Sequence, residues 1–136
     1  MNLRYERMSD FFEKWHMDGN PVHASLHVFS ATDHGDPHDH PADFHSYIVE
    51  GGYIEEVYQA DGTMERIHRR KGDSFDIAAE HIHRIVELPE GRCVTLVTFQ
   101  PHRQPVSVWQ FREDGAYKRS NGSEEWKRMG GVGKAA

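Results

Sequence analysis

Eleven of the 136 residues are histidine, and six of these fall in two short windows, 34–45 and 81–83. The first window contains His38-Asp39-His40, then Pro41, Ala42, Asp43, Phe44 and His45; the second contains His81-Ile82-His83. In an extended chain alternate side chains share a face, so each His-x-His pair presents two imidazoles side by side. A neutral imidazole offers one nitrogen lone pair. That ligand type suits Fe, Ni, Cu and Zn, whereas Mg and Ca want oxygen. Two such pairs, the first followed by His45 after a turn at Pro41-Ala42, predict a transition-metal site. Asp43 is close enough to compete with His45 as the third ligand, and a His-x-His pair with a carboxylate would give the facial-triad chemistry of non-haem iron. His81 has the parity of His83. It either faces the same pocket as a base behind the ligands or caps the strand. His34 reads as a solvated loop residue. His23, His27, His68 and His102 lack partners at ligand spacing, and His16 belongs to the N-terminal segment.

Other functional classes are excluded by composition. The single cysteine, Cys93, rules out a disulfide framework and a Cys-based zinc finger, and its apolar run Cys93–Phe99 predicts a buried thiol. Sixteen Lys+Arg stand against twenty-two Asp+Glu, a net charge of −6, which argues against a nucleic-acid-binding face. No 18-residue apolar stretch and no apolar signal region are present, so neither a membrane span nor a secretory leader is expected and a cytoplasmic location follows. Arg66, His68, Arg69, Arg70 and Lys71 form a basic cluster that reads as a solvated hairpin tip. Trp109 and Phe111 share a strand face and read as core.

These side chains need a scaffold. Short apolar-alternating runs recur about every ten residues with turn signals between them: 22–29, 44–49, 53–58, 64–68, 74–77, 83–88, 92–99 and 106–111. That rhythm predicts an all-β sandwich or barrel. Gly51-Gly52 reads as a strand-end turn. Before these runs, Asp10 with Glu13 gives a weak capping box, and Phe11, Phe12 and Trp15 form a stripe at helical spacing, which predicts a short N-terminal helix. Trp126 is assigned to a short terminal helix, and the glycine-rich end from Met129 to Ala136 is expected to fray. The resulting division is an N-terminal helical segment 1–18, a β-barrel 19–120 and a tail 121–136.

The histidine windows resemble the two motifs of the cupin superfamily. The first family motif is Gly, five residues, His-x-His, three or four residues, Glu, six residues, Gly. His38-x-His40 supplies the pair, His45 stands where the longer spacing puts the glutamate, and Gly52 closes the motif. The second is Gly, five residues, Pro-x-Gly, two residues, His, three residues, Asn. Gly72 opens it and its register falls on His83, with Ala78, Glu80 and Glu87 in place of Pro, Gly and Asn. The segment His-Asp-His-Pro-Ala-Asp-Phe also looks like one in uncharacterised cupin-like proteins of bacteria and phages.

The resemblance implies a single-domain jelly-roll β-barrel with a divalent transition metal, iron first, then Ni, Zn or Mn, on His38, His40, His45 and His83. It also implies a homodimer, for which the apolar stripe of the N-terminal segment offers a means. Parity from His45 places Tyr47 on the same face, so Tyr47 and His81 are the expected acid–base groups. The functional expectation is a small metal-dependent cupin acting on a small organic substrate, an anionic one included, as an Fe(II) dioxygenase. The alternatives are a Lewis-acid isomerase or lyase, and a non-catalytic cupin that binds a metal or small ligand.

Overall fold

The computed structural model describes residues 2–18, 23–32 and 35–131. It is all-β, with no helix among the described residues. Twelve strands run in order: β1 (Asn2–Ser9), β2 (Phe12–Asp18), β3 (His23–Phe29), β4 (Phe44–Glu50), β5 (Gly52–Tyr58), β6 (Met64–Arg70), β7 (Ser74–Ile77), β8 (Ile82–Glu87), β9 (Cys93–Phe99), β10 (Ser107–Arg112), β11 (Gly115–Ser120) and β12 (Lys127–Gly130). One antiparallel sheet has the order β1-β2-β3-β9-β4-β7. Opposite it stand two three-stranded ladders, β6-β5-β8 and β10-β11-β12.

The segment Pro37–His40 joins those two ladders. His38 exchanges both backbone hydrogen bonds with His83 of β8, at 2.9 and 3.0 Å. On its other side Trp109 N–H donates to Pro37 O and Asp39 N–H to Ser107 O, at 2.8 and 3.0 Å. An extended four-residue piece is thus inserted between β8 and β10 and satisfied from both edges. Its pleat sends His38 and His40 to the inner face and Asp39 to the other. There Asp39 is buried, and its carboxylate accepts from Ser107 N–H at 2.6 Å and Trp109 Nε1–H at 3.2 Å.

The core lies between the layers, where Ile48 (β4), Tyr53 (β5) and Cys93 (β9) pack with Phe29, Phe75, Ile85 and Leu88. Ile48 is fully buried, a contribution of about 2–3 kcal/mol for such a side chain. Cys93 is a buried thiol, with its pKa pushed up to about 11 by desolvation. A second cluster of Ile82, Trp109 and Ala116, with Tyr58 and Phe111 against it, packs beneath the other ladder.

The N-terminal helix is replaced by the β1–β2 hairpin. Leu3 and Tyr5 alternate with Arg4 and Glu6, and Trp15 and Met17 with Lys14 and His16, so the period is two. Tyr5 pairs with Trp15, their rings 4.9 Å apart. Asp10 does not cap a helix; it accepts from Arg7 at 2.8 Å in the turn, and Ser9 Oγ accepts the Phe11 N–H. Aromatic residues gain more from cross-strand pairing here than a one-face stripe would gain from a helix with nothing to dock on. Trp126 likewise precedes β12 in an extended segment, held between the Arg112 and Arg119 guanidinium groups. Of the glycine-rich end, residues 129–130 belong to β12, and 132–136 lie outside the described residues.

Gly51-Gly52 forms the tight link from β4 to β5. Gly51 has φ +73°, and a Cβ there would stand 1.9 Å from Arg92 O. The position is therefore closed to any side chain, both by conformation and by space.

Candidate metal centre

Three imidazoles converge at the inner face where the inserted segment meets β8. Ligand nitrogens of His38, His40 and His83 all lie within 4.8 Å of one another. His40 Nε2 and His83 Nε2 are 3.2 Å apart.

His40 Nδ1 lies 3.0 Å from the backbone oxygen of His81, which can only accept, so Nδ1 carries the proton. His83 Nδ1 lies 3.0 Å from Glu55 Oε1 and likewise donates to it. In neutral rings both Nε2 atoms then carry lone pairs, and two lone pairs face each other at hydrogen-bond distance with no proton between them. The pair needs a cation. Burial, then the neighbouring histidines, pushes His40 down to about 2 and His38 down to about 3, so both rings are neutral near neutrality and each keeps a lone pair. A divalent transition metal accepting all three lone pairs resolves the conflict, and the donor set fits one.

Behind the ligands stands Glu55 on β5, fully buried. Its Oε1 accepts from His83 Nδ1 and from His81 Nε2 at 2.8 Å, and its Oε2 accepts from Arg69 Nε at 2.9 Å. Burial acts to raise its pKa, but the hydrogen bonds from His81, His83 and Arg69 override it and hold the carboxyl well below the usual range. An ionised carboxylate on Nδ1 orients a ligand imidazole and raises its basicity. Arg69, expected at a solvated tip, instead folds inward and stacks over the Phe75 ring at 3.8 Å.

Glu55 was not legible as a site residue from the histidine spacing. Its signal is parity: Tyr53, Glu55 and Val57 share one face of β5 and all are buried, so a carboxylate lies on an apolar stripe. A buried carboxylate in such a row must be paired.

The structure does not bring His45 into the group. On β4 the inward residues are Phe44, Ser46 and Ile48, which puts His45, Tyr47 and Val49 outside. His45 is exposed, with Nδ1 2.8 Å from Asp76 Oδ1. The four-residue motif spacing lands on the wrong face, and the three-residue spacing lands on Phe44, whose ring lies 5.1 Å from His40. Tyr47, expected as an acid, is exposed for the same reason. Asp43 is occupied elsewhere: its Oδ1 accepts from Ala79 N–H at 2.7 Å and from Arg103 at 2.8 Å, and Arg103 also pairs with Glu80. His81 sits beside His83 and touches Glu55, behind the ligands. His34 lies outside the described residues.

Among solved structures the chain is similar to hydroxypropylphosphonic acid epoxidase from S. wedmorenis (8% identity, TM-score 0.59, over 72% of this chain and 55% of that one). It is also similar to Bacillus subtilis oxalate decarboxylase, described with Mn(II) centres (16%, TM-score 0.57, over 74% and 28%). A third is the capsular polysaccharide assembling protein CapF from Staphylococcus aureus (14%, TM-score 0.61, over 77% and 30%). The chain thus spans about half or less of each of these proteins. At these identities the likeness shows the fold alone, and that fold is the cupin fold. No family model matches the sequence, and no curated protein matches it.

Proposed function

We propose that this chain is a small metal-dependent cupin whose ion, iron first, is held by His38, His40 and His83 and acts on a small organic substrate. The observation that carries the reading is the 3.2 Å approach of His40 Nε2 and His83 Nε2 with both Nδ1 protons committed elsewhere. Three neutral imidazoles cancel none of a divalent ion's charge, so such an ion keeps its Lewis acidity and attracts an anionic ligand. Bound there, it would supply oxygen activation or carbonyl polarisation. The chain's own contribution is orientation: Glu55 fixes the His83 tautomer, the His81 carbonyl fixes that of His40, and Asp39 anchors the segment that carries His38 and His40. His81 Nε2–H, donated to Glu55, helps hold the carboxylate that orients His83.

The uncancelled charge also supports a second reading, a Lewis-acid isomerase or lyase. The two differ in oxygen consumption. Elemental analysis of untagged protein should find about one metal per chain, and the double variant His38→Ala/His83→Ala should find none. Fe(II)-loaded protein, screened against carboxylic acids and diketones, should then consume oxygen for the dioxygenase reading and only convert substrate for the other. No metal above background in the parent overturns both readings. A non-catalytic binding cupin predicts metal without turnover of any substrate.

A homodimer would use the outer face of β1–β2, where Leu3, Tyr5 and Trp15 are exposed. A cytoplasmic location is proposed with it. No helix among the described residues is long and apolar enough to cross a membrane.

A further inference from the structure

A second polar group lies on the inner face of the larger sheet. Residues paired across an antiparallel ladder share a face. In β2 and β3, Lys14 pairs with His27 and His16 with Ser25; in β3 and β9, His27 pairs with Thr95, Ser25 with Val97 and His23 with Phe99. Thr95, Val97 and Phe99 continue across β9 to Ile48, Ser46 and Phe44 of β4. Lys14, Ser25 and His27 therefore face the same interior as Phe44, whose ring touches the ligand His40. Phe99 links the two regions, its ring centroid 5.8 Å from Phe44 and 5.9 Å from His27.

Part of this group is self-satisfied. His16 Nε2–H donates to Glu6 Oε1 at 2.8 Å, and His16 Nδ1 accepts from His23 Nε2–H at 3.3 Å, one proton to each ring. Two buried atoms are not, and a half-buried ammonium lies across the ladder from one of them. Ser25 Oγ, on a residue 0% exposed, and His27 Nε2, walled by Phe12, Phe29 and Phe99, are buried polar atoms with no hydrogen-bond partner among the described residues. Lys14 is half-buried against the Phe12 ring and makes no ion pair among the described residues, although Glu6 is near. Buried polar atoms in native proteins are almost always partnered, so orphaned ones mark a missing partner.

All three can donate: an ammonium, a hydroxyl and an imidazole N–H. Burial keeps His27 neutral by pushing it down to about 3, which leaves one N–H to present. We propose that Lys14, Ser25 and His27 form an oxyanion-binding subsite that holds the carboxylate of a small organic acid. As a substrate class for the proposed enzyme, such acids rest on that reading; the anion site itself stands on the two orphaned atoms and the Lys14 ammonium across the ladder from His27.

The test follows the His27 ring by ¹⁵N NMR as acetate, the smallest carboxylate, is titrated into the full chain, both metal-free and Zn(II)-loaded. The His27 Nε2 signal should move saturably in both forms. Lys14→Met should weaken acetate by about tenfold or more, the scale of a lost hydrogen bond between charged groups, and Ser25→Ala, which removes only an unpartnered hydroxyl, should weaken it in the same direction. Acetamide, with no charge, should bind parent and Lys14→Met alike. A His27 signal that acetate leaves unmoved, or affinities unchanged in both variants, overturns the subsite and assigns the orphaned atoms to ordered water. Failure of the metal reading looks different: no Zn(II) is retained, yet acetate still moves His27 in the metal-free chain.

Discussion

Replacing Glu55 by Gln tests the support behind the ligands. The carboxylate is fully buried and accepts three hydrogen bonds, two from histidines and one from Arg69. Glutamine keeps the shape and one acceptor but brings an NH₂ group against the existing donors and leaves Arg69 without its counter-charge. Removing one partner of a buried ion pair costs about 3–5 kcal/mol. Arg69 keeps some contact with solvent, so the lower end applies, about 3 kcal/mol out of a total of roughly 5–15 for a domain. That is a fall of about two decades in the folded-to-unfolded ratio. The His83 ring also loses its orienting carboxylate, which should weaken metal binding by about 10–100-fold. Urea unfolding of the metal-free protein reads the first effect, and competition with a chromophoric chelator reads the second. The acid limb gives an independent signature. A carboxyl whose folded pKa lies below its unfolded value of about 4.3 adds stability that is present above that value and lost as pH falls toward the folded one. The Gln variant lacks that proton uptake, so its stability should fall less steeply below pH ~4.3, by up to about 1.4 kcal/mol per pH unit. A variant with the parent's urea midpoint and the parent's metal affinity would refute the reasoning, because Glu55 would then be neither a counter-ion nor an orienting group.

Further outcomes follow from the same geometry. His45→Ala should leave metal stoichiometry and affinity unchanged, measured by elemental analysis, because the ring faces solvent beside Asp76; a lost metal would place His45 in the site. The metal-free protein should lose stability as pH falls below about 6.5, because His27, His38 and His40, held down to about 3, 3 and 2, must take up protons on unfolding. Each such group contributes a slope of about 1.4 kcal/mol per pH unit, so urea midpoints at pH 7.5 and 5.5 should differ clearly, and a flat profile would contradict the burial of these rings. Gly51→Ala should destabilise by more than about 1 kcal/mol, since the added Cβ meets Arg92 O as well as a positive φ; a thermal midpoint within a degree of the parent would show that the β4–β5 link relaxes freely.

Much of the scaffold was legible from local pattern. The strand rhythm from β3 to β10 follows from alternation and turn residues, both short-range properties. The N-terminal segment was not, because Phe11, Phe12 and Trp15 fit a helical stripe as well as a strand face, and only the cross-strand pairing of Tyr5 with Trp15 and of β2 with β3 decides between them. β11 was missed because Gly115–Ser120 is polar and is held by its neighbours in the ladder rather than by its own alternation.

The sequence by itself determined that His38 and His40 share a face, that His81 and His83 do too, and that a transition metal is the chemistry such pairs serve. Parity within an extended segment needs no tertiary information. Tertiary structure decided the rest. It paired His38 with His83 across the inserted segment, turned His45 and Tyr47 outward, and drew Glu55 and Arg69 in from strands far along the chain. The physical reason is that motif spacing counts residues but not pleat phase. A one-residue difference in phase exchanges the faces of a strand, and only the packing of β4 against β9 and of β5 against β8 fixes which phase holds.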